Sequence, residues 1–255
     1  MAVHHVAQSG FGTEAAAYDR ARPTYPADCV AWVVDALGIA PGRRVADVAA
    51  GTGKFTRLLV PAGAEVVAVE PVAGMRAVLR DALPDVPLAA GTAEAMPLRD
   101  GSLDGVTVAQ GFHWFDARRA LEEFHRVLRP HGRVALVWNA RDRTVDWVDE
   151  LWSVMDRVEK KAPWRNHEEW RESAFVDTPW FGPLHEAGFR HEQVLTVAGV
   201  VDRFRSVSHV ATLPPERQAA VLDEVRDVLA THPATRGRDE VAIPYRVDCY
   251  WAERA

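Results

Sequence analysis

The chain has 255 residues, of which 48% are hydrophobic and 26% are charged, a balance typical of a soluble globular protein with a well-buried core. Its formal net charge of −6 argues against a function that depends on general attraction to nucleic-acid phosphates. The two cysteines, Cys29 and Cys249, lie near opposite ends of the chain, so a disulfide scaffold is not predicted. We interpret both as packing thiols.

The first ten residues, MAVHHVAQSG, lack the positively charged start and the apolar run of a signal peptide. No apolar stretch of the sequence approaches the roughly 20 residues that a membrane-spanning helix needs. We therefore expect a cytoplasmic protein with no membrane partner.

Short apolar segments alternate with helical patterns through the first half of the chain. Buried strands are predicted, in chain order, at Arg44–Val48, Glu65–Glu70, Val86–Ala89, Gly105–Ala109 and Arg133–Trp138. A helix is predicted at Ala117–Leu128, ended by the turn sequence RPHG. Strands that alternate with helices through short loops require a parallel sheet covered on both faces. Right-handed crossovers then make this a doubly wound α/β sheet.

The pattern changes after Trp138. Residues 139–180 are helical in pattern and rich in tryptophan, which predicts a helical cap on the sheet. Its tryptophans are Trp147, Trp152, Trp164, Trp170 and Trp180. Trp164, His167 and Trp170 are spaced to share one helix face, where they either line an apolar pocket or pack the cap onto the sheet. A strand near His191–Val197, a helix at Pro215–Ala230 and a terminal strand at Ile243–Trp251 are predicted to follow.

The segment Val45–Thr56, VADVAAGTGKFT, places a glycine turn between the first predicted strand and the first helix. Glycine allows positive φ and a close approach of backbone to a ligand, and a helix N-terminus offers unpaired amides. Glu70 ends the second strand, where a carboxylate accepts hydrogen bonds from the ribose of an adenosine cofactor. Together these features predict a nucleoside-cofactor site.

The nearest competing class is a nicotinamide-dependent oxidoreductase, because Gly51-x-Gly53-x-x-Thr56 is one residue from the dinucleotide fingerprint. Asp47 disfavours that class, since a carboxylate just before the turn would face a pyrophosphate. S-adenosyl-L-methionine carries a sulfonium and an ammonium and no phosphate. The residues therefore favour S-adenosyl-L-methionine as the cofactor.

The sequence resembles the class I S-adenosylmethionine-dependent methyltransferases, of the type 11-like kind, over roughly residues 11–138. VADVAAGTGKFT resembles the first family motif, AVEP (68–71) the second, residues 90–116 the third and fourth, and LRPHGRVALVW (128–138) the fifth. Ala49 stands where the family usually has its first glycine, as in a subgroup that includes trans-aconitate-type small-molecule methyltransferases. Thr92 stands where many members have an aspartate that contacts the adenine amino group.

The resemblance implies a Rossmann-like, doubly wound, seven-stranded sheet whose last strand is antiparallel, with the helical cap as an insertion. The predicted single domain then has four parts. They are N-terminal leader helices at 1–40, the cofactor-binding core at 41–138, the tryptophan-rich cap at 139–190 and the C-terminal part of the core sheet at 191–255.

The resemblance also implies a set of cofactor-binding residues in the leader, the glycine turn and the ends of the second to fourth strands. They are Tyr18, Arg22, Asp47, Ala49, Gly51, Thr52, Glu70, Pro71, Met75, Thr92, Ala93, Glu94, Gln110 and Phe112. The turn residues should line the methionine and ribose, with Glu70 holding the ribose. Residues 71, 75 and 92–94 should border the adenine, and Gln110 should lie beneath the methionine.

Two basic residues near this site leave alternatives open. Arg22 either holds a carboxylate, of the methionine or of the substrate, or is a solvated residue on a docked helix. Lys54 is expected to point to solvent, because a lysine beside a sulfonium is electrostatically unfavourable.

The sequence GFHWFD (111–116) follows the fourth strand, where open α/β sheets place their ligand crevice. His113 is the candidate catalytic residue, since its ordinary pKa would let it take a proton from the acceptor. Transfer to an ionised carboxylate requires no base, so a packing or hydrogen-bonding role is the alternative. Phe112 or Trp114 is expected to floor the pocket. No metal-ligand spacing is present, so no metal site is predicted.

The predicted function is methyl transfer to a small-molecule acceptor, by O-methylation of an acid or hydroxyl of a metabolite or natural-product intermediate. The alternatives are a cofactor-binding protein of the same fold that transfers no methyl group, or the nicotinamide-dependent oxidoreductase. We expect no nucleic-acid partner, and a monomer or homodimer.

Overall fold

A computed structural model describes residues 22–158, 174–176 and 178–255, apart from the side chains of residues 208 and 209. Its seven strands form one sheet in the order β3-β2-β1-β4-β5-β7-β6. The strands are β1 (Arg44–Val48), β2 (Glu65–Val69), β3 (Leu88–Ala89), β4 (Leu103–Ala109), β5 (Leu128–Arg141), β6 (His185–Thr196) and β7 (Glu240–Glu253).

The first five strands pair in parallel, and β7 pairs antiparallel with both β5 and β6. The last strand is therefore the one that runs against the others, as predicted. The chain leaves β1 toward β2 and β3 and then returns to the other side of β1 as β4. This reversal of strand order opens a crevice at the carboxyl ends of β1 and β4, the usual ligand position in such sheets.

The helices of the described residues cover both faces of the sheet. They are α1 (Ala27–Leu37), α2 (Thr56–Leu59), α3 (Ala73–Ala82), α4 (Ala117–Val127), α5 (Asp146–Val158), α6 (Val197–Arg205), α7 (Ser208–Ala211) and α8 (Pro215–Thr231). Helix α4 illustrates why they form: Asp116 caps it by accepting a hydrogen bond from the Arg119 amide, and its buried residues recur at helical spacing. None of the helices described is long and apolar enough to cross a membrane.

Three apolar clusters hold these layers together. One lies between α4 and the β4–β5 face, and a second lies between α1 and the opposite face of the same sheet. A third is formed by α5, α6 and α8 with the first half of β7. Trp147 and Trp152 are buried in this third cluster, so they pack the cap. Trp164, His167 and Trp170 lie outside the described residues.

Several predicted boundaries were wrong. The strand β5 begins at Leu128 and includes the segment predicted as a turn, although a register shift against β4 and a φ of 64° at His131 mark a bulge there. It also continues to Arg141, into the predicted cap, because that end pairs with β7. Strand β6 begins at His185, six residues before the predicted start at His191. Alternate residues of β6 are exposed and several of them are polar, so the sequence pattern did not show where the strand begins. The division into four parts stays a prediction.

Candidate active site

The turn after β1 is built by backbone conformations that favour glycine. Gly51 has a φ of 59° and Gly53 a φ of 81°. A Cβ on Gly53 would lie 3.0 Å from Leu79 Cγ of α3, so packing also requires glycine there. A Cβ on Gly51 would meet nothing within 4 Å. Gly51 therefore faces open space, as a turn that receives a ligand must.

Two residues other than glycine also take positive φ at this crevice: Ala49, at 55°, and Gln110, at 63°. They follow the two strands of the switch point, β1 and β4. They lie close together, because a Cβ on Gly111 would be 3.0 Å from the Cβ of Ala49. A left-handed conformation costs a non-glycine residue about 1 to 2 kcal/mol. Such strain clusters at functional sites, which is consistent with a ligand site at this position.

Glu70 fastens the end of β2 to the turn. Its Oε2 accepts a hydrogen bond from the Gly51 amide at 2.9 Å, and its Oε1 accepts one from the Val72 amide at 2.8 Å. The side chain is buried, and burial raises the pKa of Glu70, while the two amides and the charge of Arg76 lower it in part. Each carboxylate oxygen has a further lone pair, so the group retains capacity to accept bonds from a ligand.

Asp47 lies behind the turn and is 1% exposed. Its Oδ2 accepts a hydrogen bond from the Thr56 hydroxyl at 2.5 Å and its Oδ1 accepts one from the Thr107 hydroxyl at 3.0 Å. Burial raises the pKa of Asp47 to about 6, against the lowering effect of the two hydroxyls. The carboxylate thus links β1, β4 and α2. Sequence reasoning did not predict that the two threonine hydroxyls bind Asp47, because nothing local to them marks the contact.

The predicted adenine side gathers residues from α3 and from the loop after β3. Met75 and Ala93 are buried, at 4% and 2% exposure, while Thr92 is partly exposed. Glu94 accepts a hydrogen bond from the Asp116 amide at 3.0 Å, which joins this loop to the start of α4. Arg76, which was not predicted, donates to the carbonyls of Glu70 and Pro71 at 2.9 and 2.7 Å.

The residues after β4 are less open than the sequence indicated. Phe112 is 1% exposed, with its ring 5.7 Å from Phe115 and 6.1 Å from Phe175, so its side chain belongs to the core and does not floor a pocket. The Trp138 indole donates to Nδ1 of His113 at 3.4 Å. A nitrogen that accepts a hydrogen bond carries no proton, so the neutral ring holds its proton on Nε2. This contact favours the hydrogen-bonding alternative for His113.

The segment that leads into α1 lies against the same end of the sheet. Lys54 donates to the carbonyl of Arg22 at 2.9 Å, so the expectation that Lys54 points to solvent was wrong. Asn139, near the end of β5, donates to the carbonyl of Thr24 at 2.9 Å. The ring of Tyr25 packs edge-on against Phe55, with 4.9 Å between centroids. Tyr18 lies outside the described residues.

Comparison with known proteins places this site in a family. Residues 46–136 match the family described as a methyltransferase domain. An uncharacterized methyltransferase of Mycobacterium tuberculosis is 40% identical over 245 residues, covering 96% of each chain. An uncharacterized methyltransferase-like protein of Schizosaccharomyces pombe is 35% identical over 245 residues, 96% of this chain and 95% of that one. A solved structure titled as a type II methyltransferase from Anaeromyxobacter dehalogenans superposes with a TM-score of 0.62 at 26% identity, covering 91% of this chain and 96% of that chain.

The strand order, the glycine turn and the acid at the end of β2 define a Rossmann-like nucleoside-binding fold. The chain belongs to the methyltransferase domain family, within the class I S-adenosylmethionine-dependent methyltransferases. This assignment confirms the predicted enzyme class, an S-adenosylmethionine-dependent methyltransferase. The trans-aconitate-type subgroup and the role of each site residue stay predictions.

Proposed function

We propose that this methyltransferase binds S-adenosyl-L-methionine across the carboxyl ends of β1, β2 and β4 and O-methylates a small-molecule acid. The contact between Gly51 and Glu70 carries the first half of this proposal, because it sets a buried carboxylate directly beside a turn that faces open space. When bound, S-adenosylmethionine supplies a methyl group on a sulfonium sulfur, which the acceptor oxygen takes as the carbon–sulfur bond breaks.

The residues present fit this cofactor. Glu70 is held by two backbone amides and keeps lone pairs for the two ribose hydroxyls. Above about pH 6, Asp47 is mostly ionised and places a negative charge behind the turn, where a sulfonium and an ammonium are attracted and a pyrophosphate is repelled. Among the residues predicted to border the adenine, Thr92 and Glu94 are partly exposed and accessible to a ligand, whereas Met75 and Ala93 are buried.

The state of His113 supports an acid as the acceptor. In the neutral ring the only nitrogen without a proton already accepts a bond from the Trp138 indole, so it is poorly placed to take a proton from a hydroxyl. A carboxylic acid is ionised at neutral pH and needs no base to attack the methyl group. The protein then contributes mainly proximity, alignment and exclusion of water.

The cofactor half of the proposal is tested by calorimetry with S-adenosylhomocysteine. Wild type should bind, and Glu70→Ala should weaken binding by about 100-fold, as expected for loss of a charged hydrogen-bonding group. Glu65→Gln is the matched control, because Glu65 is an exposed acid at the opposite end of the same strand. No heat with wild type, or equal binding by wild type and Glu70→Ala, would refute this half.

The acceptor half is tested with a methyl-labelled donor. A panel of small carboxylic acids is compared with the matching primary amides and alcohols, each at equal concentration. Methyl esters should form from acids only. Label transferred to the alcohols and not to the acids would overturn the choice of a carboxylate while leaving the cofactor site intact.

A further inference from the structure

The short segment between Arg22 and Pro26 crosses the carboxyl end of the sheet without pairing to a strand. Two of its carbonyl oxygens nevertheless accept hydrogen bonds from side chains of the glycine turn and of β5. Lys54, in the glycine turn, donates to the Arg22 carbonyl, and Asn139, near the end of β5, donates to the Thr24 carbonyl, both at 2.9 Å. The two bonded carbonyls flank Pro23, which is buried. The backbone that carries Arg22 is thus held on both sides of a rigid residue.

Lys54 reaches this carbonyl from the turn that we assign to the cofactor. It directly follows Gly53, and its side chain is half-buried. An ammonium free to swing toward a bound sulfonium would weaken cofactor binding by charge repulsion. A hydrogen bond to the Arg22 carbonyl fixes the ammonium on the leading segment instead. This contact explains how a lysine is tolerated within the glycine turn.

The side chain of Asn139 is itself oriented by a contact with His191 of β6. Its Oδ1 lies 2.8 Å from Nε2 of His191 on β6, and the ring of His191 stacks on Tyr245 of β7, with centroids 5.3 Å apart. Asn139 can accept a bond from His191 through its oxygen only when its amide nitrogen points the other way, toward the Thr24 carbonyl. The outer three strands therefore set the direction of the Asn139 donor.

We infer that Lys54 and Asn139 are positioning residues that hold Arg22 at the donor site, where its guanidinium binds the methionine carboxylate. This inference rests on the proposed function, which places the donor against the same turn. Misplacement of a binding group by about 1 Å can lower a rate by about 100-fold, so fixing the backbone of Arg22 has consequences well beyond the two hydrogen bonds.

The test is a double-mutant cycle read by the affinity for S-adenosylhomocysteine, whose carboxylate is that of the donor. Arg22→Ala and Lys54→Met should each weaken binding by about tenfold, as expected for loss of a charged contact. The double variant should bind no more weakly than Arg22→Ala alone, because Lys54 acts through Arg22. Lys54→Arg keeps a donor and should restore most of the affinity. Arg80→Met, which removes an exposed cation of α3, is the control and should bind as wild type does.

The variant Asn139→Asp provides an independent test, since it keeps the oxygen that faces His191 and removes the amide that donates to the Thr24 carbonyl. It should raise the KM for the donor several-fold with little change in kcat. Independent, multiplicative losses in the cycle, or unchanged binding by Lys54→Met, would overturn the inference while the proposed function stands. Failure of wild type to bind S-adenosylhomocysteine would refute the proposed function and the inference together.

Discussion

The hydroxyl of Thr107 on β4 donates a 3.0 Å hydrogen bond to the carboxylate of Asp47 on β1, inside the core of the sheet. The second carboxylate oxygen is held by the Thr56 hydroxyl of α2. The two strands of the switch point and helix α2 therefore meet at one ionisable group that is 1% exposed. Its protonation links the geometry of the cofactor turn to the stability of the fold.

Replacement of Asp47 by Asn should change how stability depends on pH. Burial raises the pKa of Asp47 from 3.8 to about 6, so between these values the folded chain holds a proton that the unfolded chain has released. The contribution of protonated Asp47 to the free energy of unfolding is thus fully present below about pH 4 and is lost as pH rises through about 6. A shift of this size corresponds to on the order of 3 kcal/mol. Urea denaturation should show Asp47→Asn gaining that much relative to wild type between about pH 4 and pH 7.

Asp104→Asn provides a control of opposite sign. Burial would raise the pKa of Asp104, but the Arg44 amide and the guanidinium groups of Arg43 and Arg129 outweigh it, so the pKa is lowered. The stabilising contribution of Asp104 is present above about pH 4 and is lost as pH falls through its lowered folded pKa. Asp104→Asn should therefore lose stability relative to wild type as pH rises. Parallel curves for wild type and Asp47→Asn would contradict the first prediction.

Ala49→Gly should keep the cofactor site and leave stability unchanged or slightly higher. Glycine removes the strain of a φ of 55°, worth about 1 to 2 kcal/mol, but loses about 0.5 to 1 kcal/mol through its more flexible unfolded chain. Ala49→Val should be destabilising, because a β-branched residue tolerates this conformation poorly. Thermal denaturation measures both. A clear loss of stability in the glycine variant would show that the Ala49 methyl group packs better than the geometry implies.

Sequence reasoning located the features that are determined by residues close together in the chain. The glycine turn and the acid that ends β2 lie in short segments with a fixed spacing, and they meet in the structure through the bond from Gly51 to Glu70. Strands β1 and β2 are buried along all but their first residue and consist mainly of valine and alanine, so their limits were predicted to within one residue.

The contacts that sequence reasoning missed join residues far apart in the chain. Thr107 reaches Asp47 across 60 positions, and Lys54 reaches Arg22 across 32 positions. Asp47 and Lys54 lie in a recognisable motif, but no periodicity or motif predicts which residue each of them contacts, because each contact depends on how the strands and the leading segment pack. The same holds for β6, whose edge position lets polar residues alternate with apolar ones.

The two cysteines provide a further prediction. Their sulfurs lie 3.2 Å apart, between α1 and β7, and both side chains are fully buried. The hydrogen bond with Cys29 and burial raise the pKa of the Cys249 thiol, which keeps it protonated and unreactive. A thiol-specific reagent should therefore react slowly with the reduced native chain. Once the chain is unfolded in denaturant, the reagent should label two thiols per chain. Rapid labelling of the native chain would show that this contact opens readily.

The last prediction concerns His113 and separates a proton acceptor from a packing residue. If the acceptor is an ionised acid, His113→Gln should lower kcat by less than about fivefold, with no change in pH dependence between about pH 6 and pH 8. A general base would contribute about 100-fold or more, and its loss would be relieved at high pH. Trp138→Phe is the matched variant, because it keeps an aromatic ring and removes only the donor to Nδ1 of His113. A loss of about 100-fold in His113→Gln that recovers as pH rises would restore His113 as the base and point to a hydroxyl acceptor.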